Sequence, residues 1–139
     1  MTWCVVGSFT DDLKRFERKT AGKMDQVGRK VALELFKRII YKTPVDSGRA
    51  RGNWQVAIGS VPSGTIEIDD KDGGATMSAA TAASAGFNAG DTIYLTNNLP
   101  YIRRLEEGSS QQAPAGMVAL TVQEFAAIVK QIGIEVSYQ

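Results

Sequence analysis

Histidine is absent from the 139-residue chain, and Cys4 is its only cysteine. The first absence removes the side chain that most often titrates near neutral pH and most often ligates metals. The second removes any intramolecular disulfide, and together they exclude Cys/His nucleophile pairs and most metal sites. Cys4 itself reads as a small buried hydrophobe near a chain end. No stretch approaches the roughly 20 apolar residues that span a bilayer. Met1–Gly7 lacks the basic start and long apolar run of a leader, so the protein is expected to be made and to stay in the cytoplasm. There is no G-x-x-x-x-G-K-[ST] loop and no G-x-G-x-x-G after a strand, so nucleotide use has no local support.

What remains is ordinary globular material: 43% apolar and 22% charged residues, enough for one core and one domain over 1–139. The net charge is +1 but unevenly placed. Residues 1–51 hold 12 Lys/Arg against 6 Asp/Glu, and residues 52–139 hold 4 against 9. Such bipolarity suits a nucleic-acid contact, head-to-tail attraction between subunits, or a solvated helix face.

Apolar residues at Leu13, Phe16, Val27, Val31, Leu35 and Ile39 follow a helical period, with basic residues between them. A long N-terminal helix over 9–43 is therefore expected after an N-terminal segment 1–8. It is capped near Ser8 or Thr10 and stopped by Thr43-Pro44. Unbroken from Thr10 to Tyr41, it would be roughly 48 Å long and overhang a domain whose radius of gyration is about 14 Å, inviting a second subunit to cover its outer part. Gly22 and Gly28 each cost about 1 kcal/mol relative to alanine, so a break near Thr20–Lys23 competes with that picture.

Val45–Arg49 reads as a turn, with Gly48 supplying the awkward dihedral and Asp46 or Ser47 able to bond nearby amides. Strands are expected at Trp54–Ile58, Thr65–Asp69 and Thr92–Thr96, where apolar residues alternate. Thr76–Ala85 reads as a small-residue helix and Tyr101–Glu107 as a short helix closed by Gly108. A final helix is expected from Pro114 to Gly133, its stripe made by Val118, Val122, Phe125, Ile128, Val129 and Ile132. The expected class is α+β: a long N-terminal helix, a small antiparallel sheet of about three to four strands, and a C-terminal helix packed on the sheet. The sheet region with short helices spans 44–108, the loop and last helix 109–133, and a tail 134–139.

Asp69, Asp70 and Asp72 have the look of half a calcium loop, but neither register supplies the glutamate at the twelfth position. Glu106 and Glu107 point about 100° apart on a helix and read as solvated charge rather than an acid and base pair. Asp46 and Arg49 read as a local ion pair in the turn or as half of a subunit contact, and Trp54 as core rather than a ligand platform. The basic face from Lys14 to Lys42 could follow a phosphate backbone. It has neither a DNA-reading motif nor the aromatic interleaving that stacks single strands.

Thr43-Pro-Val-Asp-Ser-Gly-Arg-Ala-Arg51 with Asn53-Trp54, and Asn97-Asn-Leu-Pro-Tyr101 with Leu105-Glu-Glu-Gly108, occur in that order. In these blocks the chain resembles the tail-completion (neck) family of long-tailed double-stranded DNA phages, the minor tail protein Z group. There a long N-terminal helix runs into a TPVDTGRLR-x-SW turn and a later N-x-x-PYA-x-x-LE-x-G segment. Ser47, Ala50 and Ile102 depart from that pattern. The resemblance singles out Pro44, Asp46, Gly48, Arg49, Trp54, Asn97, Pro100, Tyr101, Glu106 and Gly108 as motif residues. It implies a non-enzymatic, cofactor-free structural component of the virion, assembled in the bacterial host cytoplasm and ring-forming at the head–tail joint. Its implied partners are copies of itself, the adjacent connector and tail-terminator or tail-tube proteins, and phage DNA in passing, with no membrane and no small-molecule substrate. Expected partner contacts are Lys14, Arg15, Arg18 and Lys19 on the helix, and two polar loops, mobile in the free subunit, at Asp69, Asp70, Asp72 and at Ser109, Ser110, Gln111, Gln112. The alternative reading is a nonspecific nucleic-acid-binding protein using the basic helix face.

Overall fold

The computed structural model describes residues 3–6 and 24–137. The stretch from Gly7 to Lys23 lies outside them, so the first half of the expected long helix, its capping by Ser8 or Thr10 and any break near Gly22 fall there too. The described elements run β1 (Trp3–Val6), α1 (Met24–Lys42), α2 (Arg49–Gly52), β2 (Trp54–Ile58), α3 (Gly74–Ser84), β3 (Ile93–Asn97), α4 (Ile102–Glu106), α5 (Val118–Gln123) and α6 (Phe125–Ser137). The class is α+β.

α1 forms where the apolar spacing demands it. Val27, Val31, Leu35 and Ile39, one turn apart, are all buried, with Ala32, Phe36 and Ile40 widening the stripe. The helix ends at Lys42, before the proline that cannot continue it. Thr43 turns its hydroxyl back to the Ile39 carbonyl (2.7 Å).

β3 is the middle strand, antiparallel to β1 on one side and β2 on the other. Trp3 pairs with Asn97 and Val6 with Tyr94; Trp54 pairs with Asn97 and Ile58 with Ile93. Residues 1–8 thus hold a strand that local pattern left unassigned. Conversely, Thr65–Asp69, expected as a strand, has no ladder. Its backbone is held by a side chain instead: Asn53 Oδ1 accepts the Ile66 N–H (2.7 Å) and Asn53 Nδ2 donates to the Ile66 carbonyl (2.9 Å). Gln55 and Asn98 donate to the Gly64 carbonyl in the same manner (both 2.9 Å). Of the three strands read from the sequence, two are therefore present.

α3 lies against both β2 and α1, while α6 packs along α1. The C-terminal helix is thus not the layer on the sheet that the sequence suggested: its Ile128, Val129 and Ile132 join the stripe of α1 in one apolar cluster with Trp54, Phe87, Ile93 and Leu95. Nor is it a single helix from Pro114. It begins at Val118, is interrupted at Glu124, and continues through Gly133 to Ser137. Glu124 sits between Arg38 and Lys42, one turn apart on α1, and accepts hydrogen bonds from both, with Thr121 Oγ1 also bonded to Lys42 Nζ (3.0 Å). Among the described residues no helix is long and apolar enough to cross a membrane.

Candidate functional site

The segment after α1 is built around two backbone requirements. Gly48 has φ +92°, and a Cβ there would stand 2.6 Å from the amide nitrogens of Asp70 and Lys71. Only glycine permits that approach, and through it the Gly48 carbonyl accepts the Asp70 N–H (3.1 Å). The second requirement is the exposed end of α1, whose last carbonyls have no helical partner. Arg51 supplies one: its guanidinium donates to the carbonyls of Ile40 (3.1 Å), Tyr41 (3.0 Å) and Thr43 (3.1 Å), and also to Lys71 (2.6 Å). A cation at a helix C-terminus is favoured by the dipole as well as by these bonds.

Behind the turn Trp54 is buried, and its indole N–H donates to Thr43 Oγ1 (2.8 Å). Asn97, fully buried, donates to the Ala50 carbonyl (2.9 Å) and accepts the Leu99 N–H (3.2 Å). Thus the end of β3 is tied to α2. Gln112 then reaches across and makes two bonds with Val45, accepting its N–H (2.9 Å) and donating to its carbonyl (3.1 Å).

These ties bring the two motif blocks together. A groove of about 230 Å³ is lined by Pro44, Asp46, Gly48 and Arg49 from the first block and by Tyr101, Leu105, Ser110 and Gln112 from the second block and the loop after it. Ser47 joins it to a shallower depression walled by Asp69, Asp70, Lys71 and Asp72. Tyr101 is 41% exposed at the groove and Pro100 is exposed beside it. Trp54 and Asn97 lie behind the surface, where they hold it.

Several side chains have partners other than those expected. Arg49 pairs with Asp69 (2.9 Å), not with Asp46, because the turn carries the guanidinium toward the 69–72 loop. Glu106 is not simply solvated. Its carboxylate accepts the N–H groups of Met117 (3.1 Å), Val118 (2.9 Å) and Ala119 (2.9 Å), capping α5, while Glu107 lies 3.9 Å from Arg103. Gly108 keeps the approach open: its φ is +93°, and a Cβ there would collide with the Pro114 carbonyl oxygen.

Both loops expected to be mobile are tethered. Asp70 is buried and accepts from the Gly73 N–H (3.1 Å), the Thr76 N–H (2.8 Å) and the Thr76 hydroxyl (2.5 Å), which fixes the start of α3. Burial alone would push its pKa up; the Thr76 hydroxyl and amide and the neighbouring donors outweigh that and hold it below the usual carboxylate value. In the other loop Gln112 is bound to Val45 and Ser110 Oγ accepts the Gln112 N–H (3.2 Å), while Ser109 and Gln111 are exposed.

Lys14, Arg15, Arg18 and Lys19 lie outside the described residues. Further along the basic series, Arg29 donates to the Phe87 carbonyl (2.9 Å), and Arg38 and Lys42 hold Glu124. Glu124 stays below its ordinary pKa chiefly through the Lys42 and Arg38 hydrogen bonds. Among the described residues no group of three or more His, Cys, Asp or Glu is arranged to hold a metal ion. Periodicity gave no hint of the bonds made by Arg51, Asn53, Thr43 or Gln112. The first three lie inside the Thr43–Trp54 block, and Gln112 lies in the polar loop expected to meet a partner. In comparisons with known proteins, no family model, no curated protein and no solved structure matches the chain.

Proposed function

We propose that the chain is a structural protein of virion assembly, a ring-forming tail-completion or neck subunit at the head–tail joint of a long-tailed phage. The observation that carries this reading is the convergence of the two motif blocks, about 50 residues apart in sequence, on one groove. Pro44, Asp46, Gly48 and Arg49 face Tyr101 across it, and Asn97 bonds the Ala50 backbone beneath it. The motif residues act by shaping and holding a surface: Gly48 by its φ, Trp54 and Asn97 by buried hydrogen bonds, Glu106 and Gly108 by setting the start of α5. Such a rigid surface with an aromatic at its rim suits protein docking. Its neighbours in the particle would be further copies of the chain and the adjacent connector and tail-tube or tail-terminator rings.

On the alternative reading, the basic face of the first helix would bind nucleic acid without sequence preference. Three cations of that face, Arg29, Arg38 and Lys42, are already bound within the fold, which favours the assembly reading. The test is complementation of a phage lacking this gene. Wild-type chain is expected to restore joined heads and tails, and Tyr101→Asp, altering only an exposed rim residue, to yield a folded protein that leaves them unjoined. Full infectivity without the gene product would overturn the proposal.

A further inference from the structure

β2 is an edge strand: β3 pairs with it on one side, and among the described residues no strand flanks it on the other. The register decides which of its backbone groups face outward. Gly59 donates to the Thr92 carbonyl (2.8 Å), and in an antiparallel ladder such bonded pairs recur at every second residue, so Ala57 bonds Tyr94 and Gln55 bonds Thr96. The N–H and C=O of Val56 and Ile58 therefore point away from β3, and no bond among the described residues reaches them. Sheet edges are usually guarded by a charge or a proline, and Trp54–Ile58 has neither. Beside this edge α3 lies against β2, and its exposed side chains include Ala75, Ser78, Ala79 and Ala82, all small.

The same chain carries a segment with the matching need. Asn53 bonds both the N–H and the C=O of Ile66, as a neighbouring strand would, which puts those two groups on one side of an extended backbone. The groups of Thr65 and Glu67 then lie on the opposite side, where both residues are exposed and no bond among the described residues reaches their backbone. Ile66 itself is 42% exposed. Tied to Asn53, Ile66 cannot reach Val56 of its own chain, about 10 Å further along β2. A second β2 is not the match either. Two-fold pairing of β2 with β2 would set two α3 helices over strands about 4.8 Å apart, whereas packed helices need roughly 8–10 Å.

We propose that the β2 edge of one copy receives the segment Thr65–Glu67 of a second copy as an added, parallel strand. Val56 N–H then donates to the Thr65 carbonyl, Glu67 N–H to the Val56 carbonyl, and Ile58 N–H to the Glu67 carbonyl. The parallel direction follows from the side chains. It sets Ile66 opposite Val56, on the side of the small residues of α3, and turns Glu67 to the other face; the antiparallel direction would put the Glu67 carboxylate against Val56 under α3. Each copy offers one edge and one segment, so the contact is heterologous and leaves a free surface of each kind for a third copy. Repetition closes a ring or extends a filament. The contact is argued from these two surfaces alone and stands apart from the virion reading, to which it supplies one way of closing a ring.

The test is sedimentation velocity over a concentration series, with folding checked by circular dichroism. Wild-type chain is expected to form species that grow with concentration. Val56→Pro removes an outward N–H that takes no part in the β2–β3 ladder, and Glu67→Pro removes the N–H that the Val56 carbonyl accepts; each is expected to self-associate on the order of ten-fold more weakly. An equimolar mixture of the two is expected to form pairs but nothing longer, because the intact edge of the E67P chain receives the intact segment of the V56P chain and neither can continue. If a proline variant does not fold, Ile66→Asp serves, since Ile66 is exposed in the free chain and lies beside α3 in the contact. A wild-type chain that stays monomeric at millimolar concentration, one that stops at a closed dimer, folded variants that associate like wild type, or proline variants that remain apart when mixed would overturn the inference. Association with the expected pattern by a chain that never enters particles would keep this contact and overturn the virion reading instead.

Discussion

The wall formed by α1 and α6 and the turn that follows α1 are held by different means. Along the wall, aliphatic side chains one helical turn apart bury against each other, and charge enters at its edge, where the partly exposed Glu124 sits between Arg38 and Lys42. In the turn, almost every tie is a directed bond onto backbone: Arg51 to four carbonyls, Asn53 to both groups of Ile66, Asn97 to Ala50, Gln112 to Val45. Apolar packing tolerates exchange of one aliphatic for another, whereas a bond to a fixed carbonyl tolerates few replacements. A surface that must keep one shape is better held in the second way.

The largest expected effect falls where the two regions meet. Trp54→Ala removes a buried aromatic and the indole N–H that Thr43 Oγ1 accepts, and is expected to cost about 3–5 kcal/mol in urea unfolding. An unchanged melting temperature with lost assembly would make Trp54 a contact residue and dissolve the distinction. Next, Gly48→Ala must relieve a 2.6 Å approach to the Asp70 and Lys71 amides as well as adopt φ +92°, so a loss of more than about 2 kcal/mol is expected.

Asp70→Asn tests the polar region through pH. It keeps the size but can accept only at one of the two positions, so either the Gly73 bond or the two Thr76 bonds are lost, and about 1–3 kcal/mol is expected at pH 7. Because the folded-state pKa of Asp70 is depressed, its contribution is complete above the unfolded carboxylate pKa and is lost as pH falls through the folded value. The wild-type minus variant difference should therefore shrink on acidification; a difference constant down to about pH 2 would contradict the depressed pKa. The smallest effect belongs to the wall. Glu124→Gln is expected to cost under about 1 kcal/mol, since the carboxylate is partly solvated and screened. Its contribution has the same sign and likewise fades as pH drops through the depressed value, which titration in about 1 M salt should diminish further.

The same contrast explains what could be read in advance. Val27, Val31, Leu35 and Ile39 announce α1 because burial repeats with the helical period, and Gly48 announces a turn because only glycine takes that φ freely. The alternation in Thr65–Asp69 looks like a strand, but alternation does not say whether a neighbouring backbone or an asparagine side chain will take the hydrogen bonds. β1 escaped notice because its partner is some 90 residues away, beyond any local pattern. The two motif blocks meet at the groove, but nothing local to the first block marks its Arg51 as a cap on α1, because that work depends on where the chain folds back. The C-terminal stripe indicated a buried face without indicating its partner, and α1 rather than the sheet provides it.

The central place of β3 also governs the order of events at the ribosome. β1 and β2 do not pair with each other; both wait for residues 93–97. Until roughly two thirds of the chain has been synthesised, neither early strand has its partner, and closing β1 onto β3 requires a loop of nearly 90 residues. α1 can form locally in the meantime, but its stripe stays open until α3, and later α6, arrives to cover it. The nascent chain therefore spends most of its translation with apolar helix surface uncovered, a period in which chaperone engagement is most useful and in which slowing elongation before codon 93 should raise the aggregated fraction.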